Sequence, residues 1–215
     1  MHSAAILTGG QATRFGGRNK SALVVDGRTI FERQLATLEP LTDELLIVGG
    51  PHVAHDLWSR NVAHDLWSCD RRVTGPAPRF VPDIVPGCGP LGGLHAALTE
   101  ARGDALFVIA CDMPFVTSAF IAHLLSLAGD ADIVMPKSER GYHPLCAVYT
   151  RACLEPAAAR LANRRLNMRA LVADVRTRVV AAEEIRRFGN PDRLLANVNT
   201  PAEYADLEAL QGHKL

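Results

Sequence analysis

Between Ala5 and Lys20 the chain reads AILTGGQATRFGGRNK, a short apolar run that breaks into a segment holding Gly9, Gly10, Gly16 and Gly17 together with Arg14, Arg18 and Lys20. Glycines let backbone N–H groups approach an anion closely and take positive φ, and the cationic side chains stabilise negative charge, so the chemistry on offer is a phosphate cradle. It is neither of the two common glycine loops. Within this segment there is no GxGxxG, and GxxxxGK followed by Ser or Thr fails because Gly16 and Gly17 are followed by Arg18, Asn19 and Lys20. On the glycines alone, a plain structural turn after a first strand competes with the cradle.

Asp112 is the second chemical feature. It stands in ACDMP, at the end of the apolar run Ala105 to Ala110, with Pro114 blocking further helix or ladder. A carboxylate at the carboxyl end of a strand can hold Mg²⁺ through an oxygen and leave the other coordination positions to phosphates and water. The bland alternative is an aspartate that only caps a turn.

The elements that must position these groups alternate. Thr29 to Glu32 has the T-x-x-E form of a capping box and predicts a helix from about Ile30 to Leu38, stopped by Pro40. Leu45 to Val48 and Arg79 to Val81 read as strands. Pro90 opens a helix to about Ala101 that buries Leu91, Leu94, Ala97 and Leu98. Ala105 to Ala110 reads as a central parallel strand covered on both faces. Thr117 or Ser118 caps a helix through Ala128; Asp132 to Met135 and Tyr142 to Tyr149 are strands, and Arg151 to Leu161 is helical. Thr200 to Glu203 is a second T-x-x-E box, opening a last helix to about Leu210. The expected fold is a three-layer α/β/α sandwich on a predominantly parallel, Rossmann-like sheet, in one domain spanning 1–215. Ligands of such sheets sit beyond the carboxyl ends of the strands, where the Gly9 segment and Asp112 both fall.

Composition narrows the function classes. With 215 residues, 48% hydrophobic and 21% charged, the chain can bury a real core. The 23 basic and 23 acidic residues cancel, so no global field would draw nucleic acid or an anionic membrane, and a polyanion must be met by a local cluster. The first residues have no signal-peptide form and no apolar run approaches ~18 residues, which makes the cytoplasm the expected compartment. Cys69, Cys88, Cys111, Cys146 and Cys153 form an odd set without CxxC spacing, with Cys111 and Cys146 reading as core thiols. VAHDLWS occurs at Val53 to Ser59 and again at Val62 to Ser68. The pairs His55/His64 and Asp56/Asp65 invite a metal reading, but a local duplication in a tolerant surface segment explains them more simply. Arg164, Arg165 and Arg169 read as a solvated helix face rather than a second anion site.

Taken whole, LTGGxxxRFGGxxK resembles the signature loop of nucleotidyltransferases that release pyrophosphate, and within them the molybdenum cofactor guanylyltransferases. Leu7, Gly9, Gly10, Arg14 and Lys20 stand at matching places, with Thr8 where Ala is usual. Gly89 to Gly93 match GPLAG, His143 and Pro144 match a motif before a core strand, and ANVNTPAEY matches a terminal NVNTPEEL. The resemblance implies a nucleotide-diphospho-sugar transferase type of fold, GTP and molybdopterin as substrates, and Mg²⁺ as cofactor. It implies Arg14, Lys20 and Asp112 as catalytic residues, with Asp112 the metal aspartate. Leu7, Thr8, Gly9, Gly10, Lys20, Asp83 and Asp112 become the nucleotide site, with Asp83 either accepting from guanine N1–H and the 2-amino group or only capping the turn into the Pro90 helix. Asn197 and Asn199 become candidates for the acceptor side, since amides can pair with a pterin edge; they could equally well terminate a strand and cap the final helix. Transient contact with molybdoenzymes or their chaperones is compatible with this picture. The departure lies at Gly49, Gly50 and Pro51, where the family has an Asn in its nucleoside pocket. A cytidylyltransferase on molybdopterin, a transferase for another phosphorylated acceptor, and a non-catalytic cofactor carrier stay open as alternatives.

Overall fold

The computed structural model describes residues 1–8, 24–25, 27–49, 77–85, 87–198, 200, 202–203 and 205. In chain order the strands are β1 (His2–Leu7), β2 (Val24–Val25), β3 (Arg28–Thr29), β4 (Glu44–Gly49), β5 (Arg79–Pro82), β6 (Ala105–Ala110), β7 (Ile133–Ser138), β8 (Gly141–Tyr142), β9 (Cys146–Thr150) and β10 (Thr177–Val180). The α-helices are α1 (Ile30–Leu38), α2 (Gly89–Glu100), α3 (Ser118–Ser126), α4 (Leu154–Ala162), α5 (Ala182–Ile185) and α6 (Pro191–Leu194). Strands β2 and β3 pair as a small ribbon; the main sheet runs β10-β7-β9-β6-β1-β4-β5, with β8 on β7.

Local chemistry explains the element starts. Thr29 Oγ1 accepts from Glu32 N–H at 3.1 Å while the Glu32 carboxylate accepts from Thr29 N–H at 2.7 Å, so both halves of the capping box are present. Thr117 caps α3, which ends at Ser126, two residues short of the expected Ala128; Leu127 and Ala128 continue as a turn bonded to Leu124 and Leu125. Gly87 and Gly89 take φ +80° and +61°, a left-handed bend that lets the chain leave β5 and enter α2.

Side-chain alternation along β1 divides the core. Ala4 and Ile6 join Phe31, Leu35, Leu38, Phe120, Ile121 and Leu124 on one face. Ala5 and Leu7 join Leu91, Leu94, Ala157 and Leu161 on the other. Helices therefore cover both faces, and every residue of β6 is buried.

The expected predominantly parallel sheet is observed: β6 is parallel to β1, while β8 and β9 run against their neighbours. One expectation is corrected. The segment Tyr142 to Tyr149 is not one strand: it breaks between β8 and β9, where Pro144 has no N–H to give a ladder. The repeated VAHDLWS heptapeptide lies outside the described residues. Of the last helix only its start is described, with Glu203 N–H donating to Thr200 Oγ1 at 3.2 Å.

At the amino edge of the sheet a buried carboxylate joins three segments. Glu44 accepts from Ser3 Oγ at 2.7 Å, Arg79 Nη2 at 2.9 Å and Arg102 N–H at 2.9 Å. Burial alone would raise its pKa, but these donors together hold the carboxyl below its ordinary value.

Candidate functional site

Strand register fixes which residues meet at the opposite edge. Leu7 pairs with Ala110 on one side and with Val48 on the other, and Gly49 pairs with Pro82. The carboxyl ends of β6, β1, β4 and β5 are thus level. Asp112, Thr8 and Asp83 follow those ends by two, one and one residues, so three sequence-expected positions share one edge. Gly9, Gly10, Arg14, Lys20 and Asn199 lie outside the described residues; the chain carries the glycine segment directly on from Thr8.

Asp112 is the third residue of a turn from Ala110 to Met113, closed by Met113 N–H on the Ala110 carbonyl at 3.3 Å. Cys111 N–H reaches the Leu7 carbonyl at 3.2 Å, tying that turn to the end of β1. From the far end of the chain, Val198 N–H donates to the Asp112 carbonyl and Asn197 Nδ2 to Asp112 Oδ1, both at 2.7 Å. The Asn197 amide is therefore directed at this carboxylate. The turn is held from several elements at once, more than a surface turn needs.

Asp83 does not cap the helix that follows it. The cap position of α2 is Cys88, with no side-chain cap. The half-buried carboxylate faces Gly93: a Cβ there would lie 3.7 Å from Asp83 Oδ1 and 3.4 Å from Leu7 Cδ1. Burial pushes the Asp83 carboxyl above its usual range. Leu7 itself packs in the core, and Thr8 Oγ1 and N–H both donate to the Val48 carbonyl at 2.8 Å, pinning the end of β4 to β1.

The His143–Pro144 motif shapes the break between β8 and β9. His143 Nε2 meets Ser138 Oγ at 2.7 Å, and Tyr149 Oη donates to the Pro144 carbonyl at 2.7 Å. Burial, then the charges of Arg169 and Arg140, lower the His143 pKa, with Asp192 opposing. Arg164, Arg165 and Arg169 are exposed but do not share the expected helix face: Arg164 and Arg165 follow the end of α4 at Ala162, and Arg169 lies in the 3-10 turn Met168–Ala173. Cys146 is fully buried and its thiol is pushed far up by burial, which fits an inert core residue.

Sequence reading missed Gln34, which is buried on α1 and donates from Nε2 to the Ala110 and Met113 carbonyls. Its signal was present: a lone amide among Ile30, Phe31, Leu35 and Leu38, at a core position of the helical period. Among the described residues no three His, Cys, Asp or Glu side chains gather as a metal cluster. Asp112 offers instead one hard oxygen donor at a strand end, the donor set that suits Mg²⁺ shared with substrate phosphates. Among the described residues no helix is long and apolar enough to cross a membrane.

Residues 4–179 match the family described as MobA-like NTP transferase domain. A molybdenum cofactor guanylyltransferase from Desulfosudis oleivorans is 34% identical over 206 residues, covering 95% of this chain and 93% of that protein. A probable molybdenum cofactor guanylyltransferase from Methanosarcina acetivorans is 33% identical over 98% of this chain and 90% of its own length. In fold, the chain is similar to the crystal structure of molybdopterin-guanine dinucleotide biosynthesis protein A from Archaeoglobus fulgidus, with TM-score 0.75, 23% identity, and 99% and 100% of the two chains covered. It also superposes on 4-diphosphocytidyl-2C-methyl-D-erythritol synthase from Anaerococcus prevotii with TM-score 0.70, 14% identity, and 99% and 96% covered.

Proposed function

We propose, because this chain belongs to the MobA-like NTP transferase family and among them to the molybdenum cofactor guanylyltransferases, that it transfers GMP from GTP to the terminal phosphate of molybdopterin. An oxygen of that phosphate attacks the α-phosphorus of GTP in line; the bond from the α-phosphorus to its bridging oxygen breaks, and pyrophosphate leaves. No protein nucleophile is needed, so the enzyme's task is positioning and charge stabilisation.

The observation that carries this reading is the level edge formed by β6, β1, β4 and β5, which sets Asp112 and Asp83 on either side of the point where the glycine segment leaves Thr8. In the reading, Gly9 and Gly10 present backbone donors to the triphosphate, and Arg14 and Lys20 neutralise it. Asp112 would hold Mg²⁺, which when bound supplies charge neutralisation across the reacting phosphates. Asp83, half-buried and without a capping duty, would accept from guanine N1–H and N2–H. The N-terminal part of a single 1–215 domain serves the nucleotide and the C-terminal part the acceptor, where Asn199 is assigned. Asn197 reaches that side through Asp112. The compartment is the cytoplasm.

The test is pyrophosphate release from GTP, molybdopterin and Mg²⁺ by the full chain. Lys20→Ala and Asp112→Ala are each expected to lose roughly 10² to 10³ in turnover. Wild-type turnover in both under saturating Mg²⁺ would overturn the assignment. Thermal shift with GTP, CTP, ATP and UTP ranks the bases, since a ligand at 100 times its Kd stabilises by about 2.7 kcal/mol. A shift with CTP and none with GTP makes the chain a cytidylyltransferase. Nucleotide binding with no pyrophosphate release makes it a carrier.

A further inference from the structure

We infer that Gln34 is a positioning residue for the Asp112 turn, and that it sets how tightly that carboxylate holds a divalent cation; this rests on the reading of Asp112 as the metal-holding group.

Gln34 is only 3% exposed and occupies a place where α1 otherwise presents Ile30, Phe31, Leu35 and Leu38 to the core. Its Nε2 donates to the Ala110 carbonyl at 2.7 Å and to the Met113 carbonyl at 3.2 Å. Those are the first and fourth residues of the turn in which Asp112 is third, so one amide nitrogen spans both ends. The orientation is fixed by chemistry, because the reversed amide would set its oxygen against two carbonyl oxygens. Gln34 Oε1 is then left buried with no hydrogen-bond partner. An apolar residue of equal size would fill the space without that penalty, so what the amide adds is its hold on the turn.

Within itself the turn is weakly closed. Its own closing bond is long, at 3.3 Å, and Pro114 brings no N–H to extend it into a helix. Asn197 and Val198 hold Asp112 itself, by its carboxylate and its carbonyl, while Gln34 holds the two residues that bracket the turn. With Gln34 gone, the carboxylate remains but both ends of its turn lose the tie to α1. Groups that orient a ligand without touching the metal typically govern 10- to 100-fold in metal affinity.

The experiment measures Mn²⁺ binding to the full chain in the presence of GTP, by the EPR signal of free Mn²⁺, alongside Tm and GTP binding in EDTA. Gln34→Met is expected to weaken Mn²⁺ by about tenfold and to raise the Mg²⁺ concentration needed for half-maximal turnover, with metal-free GTP binding unchanged. Gln34→Glu keeps the shape and, as a neutral buried carboxyl, one donor to the turn, and is expected to weaken Mn²⁺ less than Gln34→Met does. If folded Gln34→Met binds Mn²⁺ as wild type does, with only Tm lowered, Gln34 is a core filler and the inference is overturned. Asp112→Asn separates the two layers. Should it lose Mn²⁺ while Gln34→Met keeps it, only the positioning role falls; should it keep Mn²⁺, the metal reading falls and takes this inference with it.

Discussion

Asn197 Nδ2 donates to Asp112 Oδ1 at 2.7 Å, a bond between residues 85 positions apart that turns the C-terminal segment back onto the end of β6. Val198 N–H adds a second bond, to the Asp112 carbonyl, and Val198 itself is fully buried beside Ile30, Phe115 and Ala196. The segment on which the acceptor side is expected is thus tied to the carboxylate expected to serve the nucleotide. An amide suits this role because it can orient a carboxylate without competing for its charge.

Replacing that amide by a second carboxylate gives the first prediction. Asn197→Asp sets two acidic groups within hydrogen-bond distance, and like charges at such range push one pKa up. Such a pair keeps one proton to higher pH than a lone carboxylate does. The acid limb of the pH profile for pyrophosphate release should move to higher pH at limiting Mg²⁺ and return toward wild type at saturating Mg²⁺. An unmoved acid limb at limiting Mg²⁺ would show that the bond has no bearing on the reacting charge.

Asp83 supports a prediction with opposite signs in the free and bound protein. Its folded pKa is raised by burial, so its contribution to stability is full below the unfolded value of about 3.9 and is lost as pH rises through the folded pKa. Asp83→Asn should therefore stabilise the nucleotide-free protein at neutral pH, with the gain vanishing in acid. The same change should weaken GTP, because an amide cannot accept from two N–H groups with both its positions. Denaturant melts at several pH values and GTP titration check the two halves, and equal GTP binding by wild type and variant removes Asp83 from the pocket.

Gly93 lies between Leu7 and Asp83, and a methyl group there meets both at ordinary contact distance. Gly93→Ala removes a helix-interior glycine from α2, worth up to about 1 kcal/mol in helix propensity. It also shields the Asp83 carboxylate further from water. The expected result is a raised Tm together with weaker GTP binding, because the added methyl narrows the space beside Asp83. GTP binding as tight as wild type or tighter in Gly93→Ala would mean that the space beside Asp83 is not where the nucleoside lies.

What could be read in the sequence followed the range of the interaction. The α1 start depends on Thr29 and Glu32 alone, and β6 on six successive apolar residues, so both were legible. The direction of β9 was not, because five residues carry no mark of strand polarity. Pro144 did mark the break before β9, and reading Tyr142 to Tyr149 as one strand overlooked its missing N–H. The Asn197–Asp112 bond depends on the whole sheet, and no local period announces it. Gln34 stood between these cases: its amide among core positions was visible, but its partners at Ala110 and Met113 were not.

Glu44 gives a prediction about stability that should leave the chemistry alone, since it lies at the amino edge, away from Asp112. Its carboxylate is about one-tenth exposed and accepts from Ser3, Arg79 and Arg102. Glu44→Gln keeps the shape but loses the charge that makes these bonds strong, and should cost about 1.5–3 kcal/mol at pH 7. The folded pKa is depressed, so the stabilisation is present above the unfolded value of about 4.3 and is lost as pH falls through the folded pKa. Denaturant titrations of wild type and Glu44→Gln should differ at pH 7 and converge in acid, while turnover of the folded variant stays at the wild-type level. A gap that persists undiminished in acid would mean that Glu44 acts by its shape and not its charge.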